Sequence, residues 1–202
     1  MHDSQPHFTS AAEHFDSSPI SRQLSQMVPQ LLSQLGLEPN QYWLDFGAGT
    51  GLLSVPLAKQ VATVSALDTS APMLKQLAEK NISNIHCLNQ DIAAGLPQQY
   101  HGVVSSMALH HVADIPQLFA HLYDSLLPGG QLAIIDLDAE DGSFHGDNRG
   151  KGVKHLGFVA QHLLRHASEA GFDAPQQREF ASIAHRNGRH YPLFLLQARK
   201  PQ

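Results

Sequence analysis

Tyr42-Trp43-Leu44-Asp45-Phe46-Gly47-Ala48-Gly49-Thr50-Gly51 is the stretch that decides the fold. It reads as a short apolar strand that ends on a carboxylate and runs into three alternating glycines, with a helix expected over Leu52–Gln60. Strand, glycine turn and helix start together make a nucleotide-type binding site. Glycine tolerates positive φ and has no Cβ, so a ligand can lie against bare backbone. The helix start adds unpaired N–H groups and a positive dipole end. Two phosphate-binding patterns fail here. The dinucleotide fingerprint G-x-G-x-x-G needs a glycine where Leu52 stands, and the P-loop needs a lysine, but none precedes Lys59.

Outward from this loop, strands and helices alternate. Strand-like runs lie at Val61–Leu67, Ile85–Leu88, Val103–Ser106 and Gln131–Leu137. The helices between them are one capped at Ser70 and running through Met73, Leu74, Leu77 and Ala78, and one over Ile115–Leu127. Such alternation predicts a parallel sheet with helices on both faces. The end differs: a helix over Phe158–Ala170 precedes strand-like runs at Arg178–His185 and His190–Arg199, joined by Asn187-Gly188, a hairpin signal. Before the loop, Ser18-Pro19 reads as an N-cap and first helical residue, with apolar positions from Ile20 to Leu35 at helical spacing. Pro29 inside that pattern should kink or divide the helix. Residues 1–17 read as loosely packed, anchored only by Phe8 and Phe15.

Composition sets outer bounds. The chain has 202 residues, enough for one α/β domain with a sizeable core. A net charge of −5 and the lack of any Lys/Arg run argue against a nucleic-acid surface. The apolar runs are strand-sized, so no membrane span is expected. Met1–Ser10 is polar and does not read as a signal peptide, and the single cysteine, Cys87, leaves no internal disulfide. A cytoplasmic protein is the expectation.

Acids stand at the ends of the next two strands. Asp68 follows Gly51 by 17 residues; in doubly wound folds an acid about 20 residues on binds ribose hydroxyls. Its plainer role would be to cap the following helix, which Ser70 could already do. Asp91 closes the third strand, where a surface carboxylate is the plainer reading.

The run Asp45-Phe46-Gly47-Ala48-Gly49-Thr50-Gly51 resembles the first motif of the class I S-adenosylmethionine (SAM)-dependent methyltransferases, D/E-x-G-x-G-x-G. Leu126-Leu127-Pro128-Gly129-Gly130-Gln131-Leu132 resembles that family's L-x-P-G-G-x-L turn before strand five. The resemblance covers about residues 41–138 and is nearest to small-molecule enzymes related to quinone-biosynthesis methyltransferases. It implies an α/β, Rossmann-like class I fold: a seven-stranded, mostly parallel sheet ending in a C-terminal antiparallel hairpin. It implies one methyltransferase domain over 1–202, with an N-terminal helical cap (1–40), a SAM-binding core (41–138) and a substrate-side loop, helix and hairpin (139–202).

The resemblance also implies SAM as cofactor and S-adenosyl-L-homocysteine as product. Asp45, Gly47, Ala48, Gly49, Thr50 and Gly51 would hold the cofactor through the first motif, and Asp68 its ribose. Asp91 would accept from the adenine amino group while Ile92 packs on the ring, flanked by Thr69 and Met73; Met73 serves equally well as a helix core residue. Ser106 and Met107, in the segment after strand four, would wall the transferred methyl. That segment lacks the N/D-P-P-Y/F of amino-methylating nucleic-acid enzymes and the Pro-Cys of cytosine C5 enzymes. Serines stand where magnesium-dependent catechol-type enzymes place an aspartate, and the paired glutamates of protein-arginine enzymes are missing. A small organic acceptor is therefore expected as the partner.

His110 and His111, after strand four, are the best candidate bases, because imidazole titrates near neutrality; either could instead pack or bind cofactor backbone. Asp136, Asp138, Glu140 and Asp141 crowd the end of strand five. The glycine-rich loop 142–152 then reads as a mobile flap with His145 facing substrate. The 14 histidines are scattered, and His162 and His166 at i, i+4 sit on ordinary cover, so no metal site is expected. The main competitor is a non-catalytic SAM-binding or scaffold protein of the same fold. A nicotinamide oxidoreductase, disfavoured by Leu52, and a histidine-based metal hydrolase stand further back.

Overall fold

A computed structural model describes residues 12–202; the expected anchor Phe8 lies outside the described residues. Seven strands form one sheet: β1 (Tyr42–Phe46), β2 (Thr63–Asp68), β3 (Ile85–Asn89), β4 (Tyr100–Ser106), β5 (Leu126–Leu137), β6 (Asp173–Ala184) and β7 (His190–Arg199). Their order is β3-β2-β1-β4-β5-β7-β6. β1 to β5 pair in parallel, while β7 runs antiparallel to both β5 and β6. The expected Rossmann-like sheet with its terminal hairpin is therefore present. The order in which successive strands are laid down reverses between β1 and β4, where doubly wound folds open a ligand crevice.

Neighbouring residues on a strand face opposite sides, and the core divides accordingly. Trp43, Val104, Ile135 and Leu195 pack on one face with Leu24, Val28 and Leu31 of helix α1 (Pro19–Leu32) and Leu57 of α2 (Ser54–Leu57). Leu44, Val103, Ile134 and Phe194 pack on the other with Phe119 and Leu122 of α4 (Ile115–Asp124) and Leu163 of α5 (Ala160–Glu169). Helix α3 (Ala71–Ala78) brings Leu74 and Leu77 against Ala48 and Ala66. In β4, Gly102 leaves the space that the Trp43 ring fills: a Cβ there would stand 2.3 Å from two ring carbons.

Several local expectations need correction. Ser18 does cap α1, accepting from the Ser21 amide, but Pro29 does not divide the helix. It falls near the C-terminal end, where only one ladder bond is lost. The helix after the glycine loop spans four residues, not nine. A helix of one turn presents no strong dipole end. Ser70 stands at the α3 N-cap position without a side-chain cap bond; Asp68 accepts from the Ser70 amide instead. The Pro128-Gly129-Gly130 turn is absorbed into an irregular start of β5, and α4 stops at Asp124 rather than Leu127. No helix among the described residues is long and apolar enough to cross a membrane.

Candidate active site

The loops after β1, β2, β3 and β4 converge over the point where the sheet reverses, around a cavity of about 690 Å³. That volume falls within the range of small-molecule sites. The glycine loop forms one wall, and its three glycines do different work. All three have positive φ: Gly47 at 70°, Gly49 at 52° and Gly51 at 88°. A Cβ on Gly47 would strike that of Ala108 at 2.3 Å, and one on Gly51 would strike Leu77 at 2.3 Å. Those two glycines let the loop pack. A Cβ on Gly49 would meet nothing within 4 Å, and Gly49 lines the cavity. There the absent side chain leaves backbone open to a ligand.

Asp68 anchors this wall. One carboxylate oxygen accepts from the Gly49 amide and the other from the Ser70 amide, each at 2.8 Å. It thus ties the two loops together and still faces the cavity. Burial pushes its pKa up, against the pull of these amide bonds. Asp45, fully buried, accepts from Ser54 Oγ at 2.6 Å. Burial raises its pKa from 3.8 to about 7, with a smaller push from the nearby Asp68. Two desolvated carboxylates beside one cavity favour a ligand that brings positive charge or hydrogen-bond donors.

Asp91 caps a short turn by accepting from the Ala93 amide at 2.9 Å, and it lines the cavity with the buried Ile92. Thr69, Met73, Ser106 and Met107 line it as well. Met73 is also buried. Met107 holds φ at +57°, a conformation that a side-chain-bearing residue adopts only when its surroundings impose it. Its amide donates to Ile135 at 2.9 Å, fixing the turn that delivers the following residues.

Two expected cofactor residues face elsewhere. Thr50 is buried, with its hydroxyl bonded to Asp16, and Gly51 packs against Leu77; neither lines the cavity. Lys80 completes that corner, donating to Asp16 and to the Thr50 carbonyl at 2.7 Å each. The pattern reads these positions as contacts because it marks the turn, not which way each residue points.

At the other end of the cavity stand the histidines. His110 and His111 lie on a short 3-10 turn over Leu109–His111. His110 is buried, and its Nδ1 donates to the buried Asp136 at 2.6 Å. Its Nε2 lies 3.0 Å from Nε2 of His145. His111 lines the cavity, and its Nδ1 stands 3.2 Å from the Gly152 carbonyl. His145 does not line the cavity; it backs onto His110.

The loop around His145 is tied down rather than open. Asn148 donates to the Gly142 carbonyl at 2.8 Å, Lys151 Nζ to the His145 carbonyl at 2.7 Å, and the Lys154 amide to the His110 carbonyl at 2.8 Å. Phe144 is buried against Tyr191 and His185. Arg189, beside the hairpin tip, reaches Asp141 at 2.8 Å; bonds from Ser143 and then Arg189 hold that carboxyl at about 2.

Sequence reasoning missed some of the wall. Phe15 and Leu24 close it from the N-terminal side, and Lys154 stands at its rim. His121 also lines it, and its Nε2 is buried with no hydrogen-bond partner among the described residues. A buried polar nitrogen facing a cavity is satisfied by water or by a ligand there. Only helical phase, which places His121 on the inner side of α4, could have flagged it.

The layered sheet and crevice make this a doubly wound α/β protein with a ligand-sized cavity. The profile of a methyltransferase domain family matches residues 14–194, and the chain belongs to that family. It is 40% identical over 96 residues to an uncharacterized methyltransferase of Mycobacterium tuberculosis, covering 46% of this chain and 48% of that one. It is 33% identical over 116 residues to trans-aconitate 2-methyltransferase of Deinococcus radiodurans, covering 56% and 42%. The chain spans about half the length of the curated relatives it matches. Among solved structures, the DhpI–SAH complex superposes with a TM-score of 0.78 at 18% identity over 98% of this chain and 96% of that one.

Proposed function

We propose that the chain is a SAM-dependent methyltransferase that acts on a small organic acceptor. The observation that carries this reading is the open backbone at Gly49, tied by its amide to Asp68 inside a ligand-sized cavity. Family membership and the DhpI–SAH likeness support it. The residues fit the cofactor: bare backbone at Gly47–Gly49 for the adenosyl-methionine chain, Asp68 for the ribose diol, Asp91 and Ile92 for the adenine, and Asp45 for positive charge nearby.

When bound, SAM supplies an activated methyl group to a nucleophile by in-line displacement. The protein's work is then mainly alignment, worth roughly 7–11 kcal/mol in favourable cases. Ser106, Met107 and His111 form the wall that positions the acceptor, and His111 is the imidazole that faces it. His110 and His145 act through His111 as positioning residues. Of the described residues, 12–40 cap the cofactor, 41–138 hold it, and 139–202 complete the acceptor side.

Calorimetric titration with SAM and S-adenosylhomocysteine tests the cofactor assignment. Saturable binding is expected, weakened at least tenfold by Asp68→Ala. NADH binding without SAM binding would replace the reading with an oxidoreductase. SAM binding without methyl transfer to any of a broad panel of small acids, amines, phenols and thiols would leave a scaffold protein.

A further inference from the structure

His110, His111 and His145 bring one ring nitrogen each to within 4.8 Å of one another, although 35 residues separate the first from the last. The ring centroids stand 4.2 Å, 5.0 Å and 5.7 Å apart. We propose that these three imidazoles form a binding site for one zinc-class divalent cation at the acceptor end of the cavity. Two nitrogens on one tetrahedral zinc lie about 3.3 Å apart, given Zn–N bonds of about 2.0–2.1 Å. The 3.0 Å between Nε2 of His110 and Nε2 of His145 is already close to that spacing. That short contact needs a proton between two nitrogens, and a cation would take the proton's place.

The groups behind the ring are those a metal site uses. A ligating histidine turns its other N–H to a carboxylate or carbonyl, which fixes the tautomer and raises ligand basicity. His110 does so to Asp136, and His111 to the Gly152 carbonyl, so both present Nε2 as the ligand atom. Asp136 is fully buried and also accepts from the Leu137 amide at 2.7 Å. Its negative charge, one bond removed, offsets part of a dication held by three neutral ligands. An all-imidazole set favours zinc and its transition-metal neighbours over magnesium or calcium, which require oxygen ligands. Three protein ligands leave a fourth position open, and His111 puts the site in the cavity wall.

Cobalt(II) is the probe, because its visible absorption is strong in tetrahedral nitrogen sites and weak in water. The full chain, first stripped with a chelator, is titrated with Co²⁺ and then challenged with Zn²⁺, without SAM. One Co²⁺ per chain is expected, with strong absorption that Zn²⁺ displaces. His145→Ala should weaken binding at least tenfold while thermal unfolding stays cooperative. His162→Ala/His166→Ala, which removes the helix pair elsewhere, should change nothing. Absence of strong absorption, or equal binding by the His145→Ala chain, would overturn the site. This test does not involve methyl transfer, so its failure leaves the proposed function standing.

Discussion

The cavity has two ends that were built differently. The end proposed for the cofactor is built from the Gly47–Gly49 backbone turn and from acids at the tips of consecutive strands. The end proposed for the acceptor is walled by His111 and backed by side chains brought from the turn after β4, from β5 and from the loop beyond it: His110, Asp136 and His145. A backbone site leaves a compact trace in sequence, because glycine spacing and strand ends are local. A side-chain site assembled from distant positions leaves scattered residues whose relation appears only after folding.

Substitutions can sharpen this contrast. His111→Ala should lower the rate of methyl transfer by about 10²–10⁴-fold, the usual scale for an assisting side chain at the reacting atoms, and leave SAM affinity within about twofold. A loss of SAM affinity instead would merge the two ends functionally. Gly49→Val should do the reverse, weakening SAM binding by at least about 100-fold because its side chain would enter the open space. Its stability cost should stay near the roughly 1–2 kcal/mol expected for a side chain in the left-handed region.

Gly51→Ala should be mainly a stability change. Its Cβ would press into Leu77 at φ +88°, and about 2–3 kcal/mol lost in chemical unfolding is expected. If Gly49 and Gly51 behaved alike, the division of labour among the glycines would be wrong.

The smallest effect is pH-dependent. Asp45 takes up a proton near pH 7 in the folded chain but near 3.8 when unfolded. Its charge therefore costs stability most fully above pH 7, less as pH falls from 7 to 4, and nothing below that. Asp45→Asn should stabilise the ligand-free protein by about 1–2 kcal/mol at pH 8 and by nothing at pH 4. The ceiling set by the raised pKa is about 4 kcal/mol, reduced because Ser54 loses a charged partner. Thermal melts at the two pH values measure this directly.

Much of the fold was legible in advance. Alternating strand and helix patterns, the strand-end acids and Asn187-Gly188 led to the parallel sheet and terminal hairpin that the structure has. Errors fell where one proline or one hydrogen bond decides the outcome. The helix after the glycine loop made only one turn, Pro29 failed to divide another, and Asp68 bonds the Ser70 amide where Ser70 was expected to cap. Asp68, Asp91 and Gly49 all line the cavity, because strand ends fix direction. Thr50 turned to Asp16 instead, a contact 34 residues away in sequence. The meeting of His145 with His110 depends on how loop 142–153 folds back, which no local periodicity encodes.

A crystal structure of the full chain grown with S-adenosylhomocysteine tests the central claim most directly. The account predicts the ligand against the Gly47–Gly49 backbone, its ribose hydroxyls on Asp68, and its sulfur pointing toward His111. Density for the ligand elsewhere, or a glycine turn left untouched by it, would contradict the account.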